Sequence, residues 1–136
     1  MASAASTLDL AIPADQVWQL IGGLGSLPDW IPAISNLELG EGGRIRRFSL
    51  PGAAFIERLM AFDEAGRTYS YAIVESPVAQ KDYLSVIRVI DLGEAGSRVE
   101  WSGTFTPVGV SDEEVSAVFQ KVYDDGLAAL KQHFAG

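Results

Sequence analysis

The sequence predicts an α+β fold: a curved, seven-stranded antiparallel sheet against one long C-terminal helix, with two short helices after the first strand. Three observations carry this expectation. Between Ile34 and Phe105 the chain runs as six short alternating segments separated by turn residues, the pattern of half-buried strands. Their connections are too short for crossover helices, so neighbouring strands run antiparallel as a meander. Beyond Ser111 the apolar residues recur at helical spacing instead, and a helix over 112–134 is about 35 Å long, enough to cross a whole sheet.

The elements follow in order. Thr7 to Ile12 alternates Leu8, Leu10 and Ile12 with Thr7, Asp9 and Ala11, which predicts a first strand. Pro13 stands where a helix begins, because its missing N–H is no loss there. Val17, Leu20 and Ile21 then form an apolar stripe that Gly22-Gly23 stops. Ser26 is placed to cap a very short helix over 27–31, ended by Pro32. Strands are expected near 34–40, 43–50, 53–62, 67–75, 82–92 and 97–106. The breaks are Gly42-Gly43, Pro51-Gly52, Glu64-Ala65-Gly66, Pro77 and Glu94-Ala95-Gly96. Ser111 with Glu114 makes a capping box for the final helix. Its apolar face is Val115, Val118, Phe119, Val122, Gly126, Leu127, Leu130 and Phe134. Gly126 inside that face costs ~1 kcal/mol relative to Ala, which close approach to the sheet, or a bend, would explain.

Composition bounds the function. With 136 residues, 48% of them hydrophobic and 21% charged, the chain suits one globular domain over residues 1–136. No apolar run approaches the ~18 residues of a membrane helix. The opening Met1-Ala2-Ser3-Ala4-Ala5-Ser6 has no basic region or long apolar core. That argues against a secretory leader and for the cytoplasm. The absence of Cys excludes disulfides, thiolate metal sites and a cysteine nucleophile, and the single His, His133, stands near the end. No metal site or other cofactor is expected. A net charge of −8, with the ten Lys and Arg scattered apart from Arg44, Arg46 and Arg47, speaks against nucleic-acid binding.

A strongly curved sheet wrapped around one helix leaves a gap between them. Ile12-Pro13-Ala14 leading to Val17-Trp18, then Trp30-Ile31-Pro32, Gly43 to Arg46, Glu57-Arg58-Leu59, Tyr71-Ala72-Ile73 and Trp101-Ser102-Gly103-Thr104-Phe105 follow one another over nearly the whole chain. In this order and spacing the sequence resembles the START and birch-pollen-allergen (SRPBCC) superfamily of helix-grip folds. It is most similar to the bacterial polyketide cyclase/dehydrase-like branch. The resemblance implies a fold with a ligand cavity, not one particular reaction.

The turns suggest a register. The Pro51-Gly52 turn sets Arg46 opposite Glu57 and Phe48 opposite Phe55. The Glu64-Ala65-Gly66 loop, with Gly66 left-handed, sets Leu59 opposite Tyr71 and Glu57 opposite Ile73. The last hairpin sets Ile87 opposite Trp101 and Tyr83 opposite Phe105. One set then shares the concave face: Arg46, Phe48, Phe55, Glu57, Leu59, Tyr69, Tyr71, Ile73, Tyr83, Ser85, Ile87, Trp101 and Phe105. Val118, Phe119 and Val122 face it from the helix. Aromatics with a few polar ends suit a small-molecule pocket, though inward aromatics are also ordinary core. Arg46 and Glu57 either satisfy one another across the hairpin or contact a ligand. Trp30, between Pro28 and Pro32, either gates the mouth or wedges its short helix onto the core. Asp124-Asp125 and Asp112-Glu113-Glu114 read as solvated and helix-start charges. Leu84, Val86 and Ile90 fall on the convex side.

These residues point first to binding, transport or sensing of a small hydrophobic or aromatic molecule. The alternative is a cyclase or dehydratase in which Glu57, with Arg46 and Tyr71, moves protons. A protein-interaction or stress-response module stands third. A homodimer is compatible with all three.

Overall fold

In the computed structural model, which describes residues 1–135, seven strands form one antiparallel sheet. They are β1 (Ala2–Leu10), β2 (Ser35–Gly40), β3 (Ile45–Leu50), β4 (Ala53–Asp63), β5 (Thr68–Glu75), β6 (Gln80–Asp91) and β7 (Ser97–Pro107), in spatial order β1-β7-β6-β5-β4-β3-β2. Two short helices, α1 (Ala14–Ile21) and α2 (Leu27–Trp30), follow β1, and α3 (Asp112–Ala135) ends the chain. At 24 residues, α3 is about 36 Å long. It packs along β1 and β7 and meets α2. The concave face of the sheet, α1 and α3 share one core.

The first strand begins at Ala2, five residues before its expected start. Ala and Ser have weak strand propensity, so periodicity alone does not mark this stretch. Tertiary contacts do: Ala2 to Leu10 pair with Phe105 to Ser97. Gln120 of α3 caps the free edge, its amide donating to the Ala5 carbonyl at 2.6 Å and accepting from the Ala5 N–H at 3.2 Å. An edge that would otherwise offer itself to another strand is thereby closed.

The register is as expected at Arg46↔Glu57, Phe48↔Phe55, Leu59↔Tyr71, Glu57↔Ile73 and Ile87↔Trp101. Tyr83 and Phe105 differ. Lys81 pairs with Thr106 and Leu84 with Thr104, so Asp82 and Tyr83 together oppose Phe105. Asp82 takes φ 56°, and this bulge keeps Tyr83 inside, stacked on Phe105 with centroids 6.1 Å apart. In the β4–β5 turn the left-handed residue is Arg67 (φ 50°), not Gly66. Gly66 instead donates its N–H to Asp63 Oδ1 at 3.1 Å within the turn.

Two expected caps resolve differently. Ser111 Oγ accepts the Glu114 N–H at 3.1 Å, as a cap does. Ser26 makes no cap bond; its hydroxyl donates to the Gly23 carbonyl at 2.7 Å. On α3 the buried face is Val115, Phe119, Tyr123, Gly126, Leu127 and Leu130. It is rotated towards Tyr123, leaving Val122 and Phe134 half-buried and Val118 45% exposed.

Gly126 sits against Trp101: a Cβ there would lie 2.5 Å from Trp101 Cζ3. Gly103 likewise leaves room for the Tyr123 hydroxyl. Helix and sheet thus meet closely at these two glycines and at Phe119, and a gap remains over Arg46 and Glu57.

Candidate functional site

That gap is a cavity of about 550 Å³. Arg46 and Phe48 of β3, Phe55 and Glu57 of β4, Tyr71 of β5, Tyr83 of β6 and Trp101 of β7 form its sheet wall. Alternation places them, because residues two apart on a strand share a face. Val118, Phe119, Lys121, Val122, Asp125, Gly126 and Ala129 of α3 line the other side. Leu27, Ile31, Pro32, Ala33 and Ile34 and the hairpin tip Leu50-Pro51 complete it. The sequence reading missed these loop residues, since nothing in their periodicity marks a rim.

Seven of the expected site residues stand elsewhere. Trp30 is buried, packs on Trp101 with centroids 5.7 Å apart, and does not line the cavity. Of its two readings, the geometry is that of the wedge. Its indole N–H has no partner among the described residues. Tyr69, Ser85, Ile87 and Phe105 face inward but are taken up by packing and hydrogen bonds. Leu59 is half-buried off the wall, and Ile73 borders a separate polar depression with Gln80 and Asp82. Their strand parity was right; the helices and the sheet's curvature close the space over them.

The polar end of the cavity is the Arg46–Glu57 pair, with Arg46 fully buried and Glu57 5% exposed. Arg46 Nε donates to Glu57 Oε1 at 2.8 Å, and Nη2 stands 2.7 Å from the same oxygen. Nη1 donates to the Leu24 carbonyl at 3.1 Å and to the Tyr69 hydroxyl at 3.3 Å. The guanidinium carbon lies 4.6 Å from the Tyr71 ring centroid, a cation–π contact.

Burial opposes the Arg46 charge, but Tyr69, Glu57 and Tyr71 outweigh it and hold the guanidinium protonated. At Glu57 burial wins: the carboxyl is raised above its ordinary range although Arg46 pulls it down.

Beside this pair runs a line of hydroxyls. Trp101 Nε1 donates to Tyr71 Oη at 3.0 Å and to Ser85 Oγ at 3.1 Å. Tyr71 and Tyr83 hydroxyls stand 3.4 Å apart, and Tyr83 is hydrogen-bonded to Tyr123. Burial pushes Tyr71 and Tyr83 well above the ordinary phenol range and Tyr123 up to about 12. All three are therefore neutral at physiological pH. Tyr123 was absent from the sequence reading, although Phe119, Tyr123 and Leu127 are spaced by four on one helix face.

Of the remaining candidates, Asp125 reaches the cavity's lining and the others stand apart from it. Asp124 accepts from Gln120 Nε2 at 3.1 Å, and Asp125 pairs with Lys121 at 2.8 Å on the exposed side of α3. His133 is exposed. Leu84, Val86 and Ile90 do face the convex side, Leu84 exposed and the other two half-buried. No group of three or more His, Cys, Asp or Glu suited to a metal ion occurs among the described residues. None of their helices is long and apolar enough to cross a membrane.

The family model described as polyketide cyclase / dehydrase and lipid transport matches residues 1–135. No curated protein matches the chain by sequence. Among solved structures, the protein XoxI from Bacillus cereus is 48% identical, with a TM-score of 0.94 over 99% of this chain and 96% of that one. A Bacillus thuringiensis protein is 45% identical, with a TM-score of 0.95 over 99% of this chain and 100% of that one. The Zhui aromatase/cyclase from Streptomyces sp. R1128 has a TM-score of 0.76 at 19% identity, over 98% and 91% of the two chains. That last likeness is one of fold, and the fold is the helix grip.

Proposed function

This chain belongs to the polyketide cyclase/dehydrase and lipid transport family, and we propose that it carries or senses a small, largely apolar molecule in the cavity between sheet and α3. The observation behind this reading is the cavity itself: about 550 Å³, walled by Phe48, Phe55, Trp101, Phe119, Ile31 and Ile34, with a polar end at Arg46 and Glu57. Such a mixture of apolar wall and a few convergent polar groups suits small-molecule binding. No His or Cys belongs to the wall, which favours binding over catalysis.

Native mass spectrometry of freshly purified protein tests the reading by looking for a co-purified apolar ligand. Nile red should also bind, quench Trp101 emission, and be displaced by fatty or aromatic molecules. Failure of the dye to bind the folded protein at any accessible concentration refutes the reading.

A second reading, a cyclase or dehydratase, draws on one feature. Glu57 is a cavity-wall carboxyl held above its ordinary range, as a group that takes and returns protons must be. Tyr71, Tyr83 and Tyr123, all protonated, stand along the same side of the cavity as further polar groups. Turnover of a linear polyketone thioester that disappears in Glu57→Gln would favour this reading. Turnover unaffected by that change would remove Glu57 from it.

A further inference from the structure

Resting on the reading of the cavity as a ligand site, we propose that its ligand carries an uncharged hydrogen-bond donor, a hydroxyl or N–H, at its buried end. Glu57 Oε2 accepts that hydrogen bond, and apolar molecules that end in a carboxylate are disfavoured.

The polar inventory of the wall leads here. Among the described residues two cations line the cavity, and both are committed: Lys121 is paired with Asp125 at the exposed side of α3, and Arg46 stands at the buried polar end. Nε and Nη2 converge on Glu57 Oε1, and Nη1 serves Leu24 and Tyr69. Glu57 also neutralises its charge. Glu57 is different. Both of its contacts with Arg46 fall on Oε1, and Oε2 accepts no hydrogen bond among the described residues. A carboxylate offers about four acceptor sites. Among the described residues the fully enclosed side-chain atoms without a partner are Trp30 Nε1 and Gln80 Oε1, so Glu57 Oε2 is open to the cavity. An apolar ligand that displaces water there without supplying a donor leaves that oxygen unpaired, which is costly. Burial also raises the Glu57 carboxyl, and a donor to its charged form acts against that.

A ligand that brings a donor relieves that deficit, whereas one ending in an ether oxygen leaves it. A carboxylate sets a second negative charge beside the first in a site of low dielectric. The other hydroxyls of the wall do not compete for the role. Tyr71 Oη already accepts from Trp101, and Tyr83 is hydrogen-bonded to Tyr123. A ligand hydroxyl is better suited than an N–H, because it also accepts. The Tyr71 proton has only the 3.4 Å contact to Tyr83 as a rival partner.

A matched series of probes tests this: naphthalene, 2-naphthol, 2-methoxynaphthalene and 2-naphthoate, titrated against Nile red-loaded protein at pH 8. The expected result is that 2-naphthol displaces the dye at least tenfold more effectively than 2-methoxynaphthalene or 2-naphthoate. In Glu57→Gln, which offers both a donor and an acceptor, the preference for 2-naphthol over 2-methoxynaphthalene should shrink below threefold. Circular dichroism must show that the variant is folded; if it is not, the wild-type series decides alone. Equal or tighter binding of 2-naphthoate or 2-methoxynaphthalene by the wild type overturns the inference while leaving the cavity reading intact. If neither Nile red nor any naphthalene binds, the cavity reading falls and the inference with it.

Discussion

Replacing Arg46 and Glu57 singly and together measures how far the polar end of the cavity is a structural pair. Both side chains are almost wholly removed from solvent, and their closest approach is 2.7 Å. Removing one partner of such a pair leaves an uncompensated buried charge, at a cost of about 3–5 kcal/mol. Arg46→Met additionally strips the Leu24 carbonyl and Tyr69 hydroxyl of a donor. For a chain of this size a loss of 3 kcal/mol lowers Tm by roughly 10 °C. The double change Arg46→Met with Glu57→Leu removes both charges and should recover much of the loss, giving a coupling above ~1 kcal/mol.

The two single variants should also differ in their response to pH. Without Arg46, which pulls the Glu57 carboxyl down, burial raises it further. A carboxyl raised above its unfolded value contributes stability that is full below that value and lost as pH rises through the folded one. Arg46→Met should therefore lie closer to wild type at pH 5 than at pH 8. Glu57→Leu should show no such relief at pH 5, because the stranded guanidinium cannot shed its proton. Urea unfolding at both pH values, followed by circular dichroism, provides the numbers. Coupling near zero, or an Arg46→Met deficit independent of pH, would refute the assignment of a buried ion pair with burial dominant at Glu57.

Three further outcomes are expected. Ser111→Ala should cost ~1 kcal/mol of stability by removing the bond to the Glu114 N–H, with Nile red affinity unchanged in calorimetry. Gly126→Ala should destabilise by about 1–3 kcal/mol in thermal melts. The new methyl meets Trp101, and this outweighs the ~1 kcal/mol that Ala gains over Gly in a helix. Val118→Lys changes an exposed residue of the cavity wall. It should leave stability within about 0.5 kcal/mol while weakening Nile red binding several-fold in fluorescence titration.

Alternation and turn chemistry determined most of the architecture without any three-dimensional information. Pro51-Gly52 fixes the β3–β4 hairpin, and from it follow the Arg46↔Glu57 and Phe48↔Phe55 pairs. A period of two then carries the concave parity to Tyr71, Tyr83 and Trp101. These signals are local, so a single sequence contains them. What lay beyond it depended on contacts between distant segments. Ala2 to Ser6 become strand because β7 and Gln120 hold them there. Tyr123 turns inward because Gly103, twenty residues earlier, leaves it space. Trp30 is core because Trp101 receives it. Whether an inward residue meets ligand space or another side chain was decided by where α3 touches the sheet. Parity states which face a residue takes; only the packing of helix on sheet, close at Gly103 and Gly126 and open over Arg46 and Glu57, states what that face meets.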